Sequence, residues 1–399
     1  MSANGSGSSF GKVHVPWGSE GSGKYSASTL GCFTVIRNAI PLCTDEVKAM
    51  SSMLQDAKVF TIADYGTADG GTSMPLIEAV ISAVREQNSQ IPVDVRYEDQ
   101  PNADFRSLFY FMQGLLAPPL PGVSSYLKNH ENVFVSTCGT SFFAPCFPPE
   151  SIHLAFSSTA MHWLSKAPDA PLKDALHHTG SKDPKAIAAY ARQAAEDWEA
   201  IMLHRAKEIA PGGSLVLVNF AVDDDGYYLG TSPQVKESMY AKFVGLWAQM
   251  RDEGKIGSKE FENTKFLNYY RTKQETIKPF TDKDSPVYKA GMRLKFCETR
   301  ITRCPFHVAW LEESEKMPQG ASEEKRRAHA KWYIPTIRTW SNSTFKSGLR
   351  EDRPEEEKTQ IVDELFSRYE DEVTARPADF GMDYVHCFLV AVKEKEGGR

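Results

Sequence analysis

Between Lys58 and Val218 the chain alternates short apolar runs with stretches of helical spacing. KVFTIADYG (58–66) is a continuous apolar run ending in a glycine turn, the pattern of a buried strand. SMPLIEAVISAVREQ (73–87) follows, its apolar residues three and four apart and so on one helix face. PVDVRYED (92–99) predicts the next strand and ADFRSLFYFMQGLL (103–116) the next helix. NVFVST (132–137) and SIHLAFSST (151–159) predict two more strands. PKAIAAYARQAAEDWEAIMLHRAKEIA (184–210) is a long helix stopped by Pro211-Gly212-Gly213, and GSLVLVNFA (213–221) is a further strand. This rhythm predicts an α/β fold with a mostly parallel sheet covered on both faces. Ligands of such sheets sit beyond the carboxyl ends of the strands. The loops after Asp64, Asp99, Thr137 and Ser158 are therefore the ones to inspect.

Past Val222 the pattern changes. VKESMYAKFVGLWAQMRDEG (235–254) and KFLNYYRT (265–272) are aromatic-rich helical candidates between charged, proline-containing loops. They predict a helical cap over residues 222–349, inserted into a core formed by 21–221 and 350–395. EEEKTQIVDELFSRYEDEV (355–373) predicts an amphipathic helix and MDYVHCFLVAVKE (382–394) a last strand returning to the sheet. The opening MSANGSGSSF lacks the apolar core of a signal peptide, so residues 1–20 read as a flexible tail.

Composition narrows the class. A chain that is 41% hydrophobic and 25% charged has ordinary globular composition and enough apolar residues for a core. The net charge of −6, with no lysine or arginine stripe, argues against a nucleic-acid partner. No apolar run approaches the roughly 18 residues of a membrane span. The seven cysteines are odd in number and show no CxxC spacing, so neither a disulfide framework nor a zinc site is expected. A reduced, cytoplasmic location follows.

Four motifs carry candidate chemistry. In Asp64-Tyr65-Gly66-Thr67-Ala68-Asp69-Gly70-Gly71-Thr72-Ser73 a strand enters a turn with three glycines just before a helix. Glycines let backbone pass close to a ligand. With no GxGxxG and no following lysine, the turn suits neither a nicotinamide cofactor nor a phosphate. Asp64 is placed to accept hydrogen bonds from an ammonium or from backbone groups. In Tyr97-Glu98-Asp99-Gln100-Pro101 an acidic residue closes the second strand, and a carboxylate at that position offers two oxygens to the hydroxyls of a ribose. Asp104 opens a helix and reads as a cap. Thr140-Ser141-Phe142-Phe143 sets hydroxyls beside an aromatic pair able to flank an adenine ring, or simply packs on the core. Ser157 to Ser165, read SSTAMHWLS, lies past the fourth strand where a substrate would sit. There Trp163 supplies an N–H donor and an apolar face, and His162 can donate, accept or titrate.

In their order the four motifs resemble the SABATH methyltransferases of salicylate, jasmonate and caffeine. That family reads ADLGCSSGPN, NDLPGNDFN, a Ser-Phe pair before Phe-Pro, and SS-x-x-x-x-WLS. This chain reads ADYGTADGGT, YEDQPNADF, SFFAPCFP and SSTAMHWLS. The resemblance covers about residues 20–395. It implies a Rossmann-like class I core under a helical cap, a homodimer, and S-adenosylmethionine as methyl donor. It implies that Asp64 and Gly66 hold the methionine end of the cofactor, Asp99 with Gln100 the ribose side, and Ser141 with Phe142 the adenosine. Thr72 stands where the family has Asn and is the corresponding cofactor contact. Trp163 and His162 are implied as the catalytic pair, Trp163 donating to the substrate carboxylate.

The acceptor side departs from the family. Aligned on Tyr25, Cys32 occupies the place of a Gln that grips the substrate carboxylate. Thr159 replaces a substrate-lining Tyr, so Tyr25, Thr159, His162 and Trp163 are the expected substrate contacts. Thr264-Lys265-Phe266-Leu267-Asn268 lacks the Asp of a proposed magnesium motif, and no metal is expected. The expected reaction is methyl transfer to the carboxylate of a small acid, which is already ionised near neutral pH. Two rival readings stand beside it. One is N- or S-methylation of a small polar metabolite, with His162 orienting the acceptor. The other is a non-catalytic cofactor-binding protein.

Overall fold

The structure is a computed structural model describing residues 16–118, 120–317 and 319–395. Its sheet is organised around β1 (Phe60–Tyr65), which has a parallel neighbour on each side and whose six residues are all buried because helices cover both faces. On one side is β2 (Val93–Glu98), in register from Phe60↔Val93 to Tyr65↔Glu98. Beyond it β3 (Val133–Cys138) forms the edge. On the other side β4 (Ile152–Ser158) pairs with β1 and then with β5 (Ile209–Val222), both in parallel. The two-residue β6 (Arg271–Thr272) adds to the end of β5. β7 (Met292–Thr302) and β8 (Tyr384–Lys393) run antiparallel, β8 lying between β5 and β7. The order β3-β2-β1-β4-β5-β8-β7 is the mostly parallel sheet that the strand-helix alternation predicts, with β8 the one strand antiparallel to both of its neighbours, β5 and β7.

Side-chain alternation along β1 builds two cores. Phe60 and Ile62 join Ile77, Val80 and Ile81 of the helix Met74–Gln87 on one face. Ala63 and Tyr65 join Trp198, Ile201 and Met202 of the helix Pro184–Glu208 on the other. The helix Leu30–Ala49 packs beside Met74–Gln87, burying Val35, Ala39, Cys43 and Val47 at helical spacing.

Residues 222–349 contribute the helices Met239–Asp252, Ser258–Asn263, Pro305–Glu315 and Glu323–Gly348. Phe243, Trp247, Phe266 and Phe345 interlock there, with Phe345 5.1 Å from both Phe243 and Trp247, ring centre to ring centre. The same segment holds β7, a full strand of the main sheet, where helices alone were expected. KFLNYYRT is also extended rather than helical. Its backbone pairs with the loop after β4: Leu164 N–H donates to the Leu267 carbonyl and Tyr269 N–H to the His162 carbonyl. Thr264, Phe266, Asn268 and Tyr270 are buried at a period of two, the strand signature hidden under the aromatic content.

Of the tail expected over 1–20, residues 1–15 lie outside the described residues. Trp17 is tied down: its N–H donates to the Thr339 carbonyl at 2.8 Å, and the Arg338 guanidinium lies 4.2 Å from its ring centre. No helix among the described residues is long and apolar enough to cross a membrane.

Candidate active site

At the end of β1 the chain reverses through Gly66, whose φ is +73° and whose added Cβ would lie 2.3 Å from the Ala160 Cβ. Only glycine lets this turn pass so close to the loop after β4. Gly66 N–H donates to the Glu98 carbonyl and, at 3.1 Å, to Glu98 Oε2. Asp64 is buried just before the turn. Burial lifts its carboxyl to about 6, against the downward pull of the Ser73 and Thr67 hydroxyls. Asp64 Oδ2 makes no hydrogen bond of good geometry within the protein.

Asp99 closes β2 and braces the same turn. Its Oδ2 accepts the Ala68 N–H and its Oδ1 the Gln100 N–H, each at 2.7 Å. Burial raises this carboxyl to about 6 as well. An ionised carboxylate has about four lone-pair positions, so two remain for hydroxyl donors. Glu98, unremarked in the sequence, is buried beside them, pushed well up by burial and then by Asp99, with Oε1 unpartnered. Three buried carboxyls thus crowd one turn and favour a cation among them. Thr72 is buried at the start of the following helix, while Gln100 enters through its backbone N–H.

The loop carrying Ser141 and Phe142 is held from below by a buried ion pair. Arg205 Nε and Nη2 each meet a Glu208 carboxylate oxygen at 2.8 Å. The same guanidinium donates to the Phe142 and Ala144 carbonyls, and Glu208 accepts the Cys146 N–H and the Tyr65 hydroxyl. Phe142 and Phe143, ring centres 4.7 Å apart, are buried and half-buried beside the Gly66 turn.

The loop after β4 forms the second half of the site. Thr159 is β-branched yet sits at φ +59°, a strained conformation held by its N–H to the Val218 carbonyl and by Oγ1 against His386 Nε2 at 3.1 Å. His162 is buried with its ring centre 4.9 Å from that of Phe220 and 5.5 Å from that of Trp163. Trp163 faces Asn268 across an antiparallel bridge. Arg271, buried and stacked 4.8 Å from the Trp198 ring centre, fixes this loop by donating to the Met161 carbonyl. Tyr25, Cys32, Thr159, His162, Trp163 and Trp340 line a single narrow cavity of about 40 Å³. Burial lifts the Cys32 thiol to about 12, so Cys32 presents a weak neutral donor.

A family model described as SAM dependent carboxyl methyltransferase matches residues 16–394, nearly the whole described chain. The chain belongs to this family. It is 28% identical to the salicylate/benzoate carboxyl methyltransferase of Arabidopsis thaliana over 207 residues, covering 50% of this chain and only 53% of that enzyme. Against the methyltransferase FUS9 of Gibberella moniliformis it is 23% identical, covering 88% of this chain and 89% of that protein. The solved structure of a loganic acid methyltransferase with SAH overlays with a TM-score of 0.71 at 19% identity, covering 96% of this chain and all of the other. That overlay establishes the shared Rossmann-like fold.

For a SAM dependent carboxyl methyltransferase the turn chemistry fits. S-adenosylmethionine carries an ammonium and a sulfonium, and the β1 turn offers Asp64 Oδ2, which makes no hydrogen bond of good geometry, within a group of buried carboxyls. The structure brings Asp64, Gly66 and Asp99 together at that turn, and Tyr25, Thr159, His162 and Trp163 together in the cavity. Ser141 meets the site through backbone: its carbonyl accepts the Ala144 N–H that shapes the loop. Sequence reasoning passed over Glu98, Asp69, Arg205, Glu208 and Asn268. Glu98 was legible as one of two adjacent acids at a strand end. Arg205 and Glu208 lay inside a helix run, where spacing three apart says nothing of what they hold.

Proposed function

We propose that the chain transfers a methyl group from S-adenosylmethionine to the carboxylate of a small-molecule acid, releasing a methyl ester and S-adenosylhomocysteine. The observation that carries this reading is the meeting of two unlike half-sites at Gly66: a turn crowded with buried carboxyls on one side, an aromatic cavity on the other. The cofactor supplies an electrophilic methyl on a sulfonium. Asp64 binds its ammonium, Asp99 its ribose hydroxyls, and Phe142 flanks its adenine. Trp163 donates its indole N–H to the acid, and His162 and Tyr25 shape the pocket around it. An ionised carboxylate needs no general base, so the residues align the acceptor oxygen and keep water out.

Residues 222–349 act as a cap over the acceptor, with β7 as their anchor in the sheet. A cytoplasmic location is supported by seven cysteines that are all unpaired, Cys297 and Cys387 included. A homodimer is carried over from the family resemblance.

The test is product analysis after incubation with methyl-labelled cofactor and a panel of carboxylic acids. Label released by mild base marks an ester. A base-stable product would move the acceptor to nitrogen or sulfur, and no turnover despite binding of S-adenosylhomocysteine would leave a binding protein.

A further inference from the structure

Cys297 and Cys387 face each other across β7 and β8 with their sulfurs 3.2 Å apart. Cys297 pairs in register with Leu389 and Cys387 with Thr299, so the two cysteines stand diagonally on one face of an antiparallel ladder. The helix Lys273–Thr281 packs on that face, and its Ile277 and Phe280 share a core with Leu389. β7 is the edge of the sheet, and Cys297 on it is half-buried, whereas Cys387 is buried. A small oxidant therefore meets Cys297 first.

The other five cysteines are engaged differently. Cys32, Cys43 and Cys304 are buried, and burial pushes their thiols up. Cys138 Sγ donates to the Cys146 carbonyl, and Cys146 Sγ lies against the carbonyls of Thr140, Ser141 and Ala144. Cys297 is the opposite case. Its hydrogen bond from Cys387 holds the thiol below the usual range, and the Lys273 ammonium adds to this against the upward push of burial. The thiolate is the nucleophile in thiol oxidation, so Cys297 is the member that reacts and Cys387 the one that resolves.

We propose that Cys297 and Cys387 form a modification site, oxidised by hydrogen peroxide to a reversible disulfide that loosens the loop after β4. The Cys297 thiolate attacks one peroxide oxygen. The O–O bond breaks, an S–O bond forms, and the departing hydroxide takes the thiol proton to leave as water. The Cys387 thiol then attacks the Cys297 sulfur. The S–S bond forms as the S–O bond breaks, and a second water carries away the Cys387 proton. Two thiols lose two electrons, and one peroxide becomes two waters.

The bond reaches the acceptor cavity through β8 and β5. A disulfide is about 2.0 Å long, so closing it draws β7 and β8 together at this diagonal. His386, next to Cys387, sets its Nε2 3.1 Å from Thr159 Oγ1. Asn219 pairs in register with Cys387, and its Oδ1 accepts the Met161 N–H at 3.1 Å. Thr159 lines the cavity, and Met161 lies two residues further along the same loop. A shift of Cys387 thus disturbs two contacts that shape the loop after β4.

The test treats the full chain with hydrogen peroxide, alkylates the remaining thiols and maps the tryptic peptides by mass. The peptide carrying Cys297 is expected joined to the peptide carrying Cys387, with dithiothreitol restoring both thiols. Hydrogen exchange of the Met161 amide should quicken about fivefold in the bridged protein, the worth of one neutral hydrogen bond, and slow again on reduction. Cys297→Ser should abolish both changes. Cys387→Ser should leave Cys297 as a sulfenic acid that dimedone captures; should this buried variant fail to fold, the wild-type map and Cys297→Ser decide. Both thiols alkylated after treatment, a bridge between other cysteines, or a bridged protein with unchanged Met161 exchange overturns the proposal.

Discussion

Ser26 donates twice to Asp69, through its backbone N–H at 2.9 Å and through its hydroxyl. This links the short helix Lys24–Ser28, which carries Tyr25 into the acceptor cavity, to the turn proposed for the cofactor. Gly71 lies against the same contact; an added Cβ would sit 2.4 Å from Ser26 Oγ. The two half-sites are therefore coupled through one buried carboxylate. Asp69→Ala should raise the KM of both the acid and the cofactor and should cost about 1–3 kcal/mol of stability, since buried donors lose their acceptor. Steady-state kinetics and urea unfolding check both parts. An acid KM that stays put while the cofactor KM rises would break the coupling.

Asp99→Ala should weaken S-adenosylhomocysteine binding at least tenfold. Two losses combine: the acceptor offered to the ribose, and the Ala68 N–H contact that holds the turn. Calorimetric titration of the folded variant measures it. Wild-type affinity would remove Asp99 from the cofactor site.

Trp163→Phe removes an N–H and keeps an aromatic face. The acid KM should rise by about tenfold, the worth of one hydrogen bond to a charged group, while the Kd for S-adenosylhomocysteine stays unchanged. A matching loss of cofactor affinity would mean that Trp163 shapes the loop rather than meeting the acid.

The core strands were legible because each is a short apolar run closed by a turn: the expected 58–66 and 92–99 became Phe60–Tyr65 and Val93–Glu98. The chemistry at their tips was legible for the same reason, since a strand end fixes where Asp64 and Asp99 stand. What escaped was set by partners remote in sequence. β7 carries Arg293, Lys295, Glu298 and Arg300 with no single alternation, and becomes a strand only by pairing with β8, some ninety residues on. KFLNYYRT has helix-like aromatic content and is pulled straight by the loop after β4, which is how Asn268 reaches the cavity. Its period-two burial could have been read from Phe266, Asn268 and Tyr270 had the aromatics not suggested a helix.

The raised carboxyls at the turn proposed for the cofactor give a signed pH dependence. Asp64 and Asp99 titrate near 6 in the fold and near 3.8 when unfolded, so the folded protein binds protons more readily between those values. Their contribution to the stability of the free protein is least favourable above pH 6 and improves as pH falls through 6 towards 4. Binding runs the other way, because the ligand's ammonium stays charged over this range and needs an ionised partner. The Kd for S-adenosylhomocysteine should be flat from pH 7 to 8 and rise by up to about tenfold per unit below 6. Thermal shift at pH 5 and 7.5 should show the ligand stabilising the protein more at the higher pH. Equal shifts would indicate that Asp64 does not face the ammonium.

The Arg205–Glu208 pair tests how the loop carrying Ser141 and Phe142 is held. Both side chains are fully buried, and between them they occupy the carbonyls of Phe142 and Ala144 and the N–H of Cys146. The Tyr65 hydroxyl, on the last residue of β1, donates to the same glutamate, so the loop and the central strand share one anchor. A single change, Glu208→Leu or Arg205→Met, leaves a buried charge without its partner and should cost about 3–5 kcal/mol. The double variant removes both charges and should recover part of that loss, giving a coupling energy of about 1 kcal/mol or more between the sites. Urea unfolding of the three variants measures it. If the pair serves the loop as well as the fold, the double variant should fold yet bind S-adenosylhomocysteine more weakly than wild type, because Phe142 is no longer pinned through its carbonyl. Additive losses with unchanged affinity would make the pair ordinary packing.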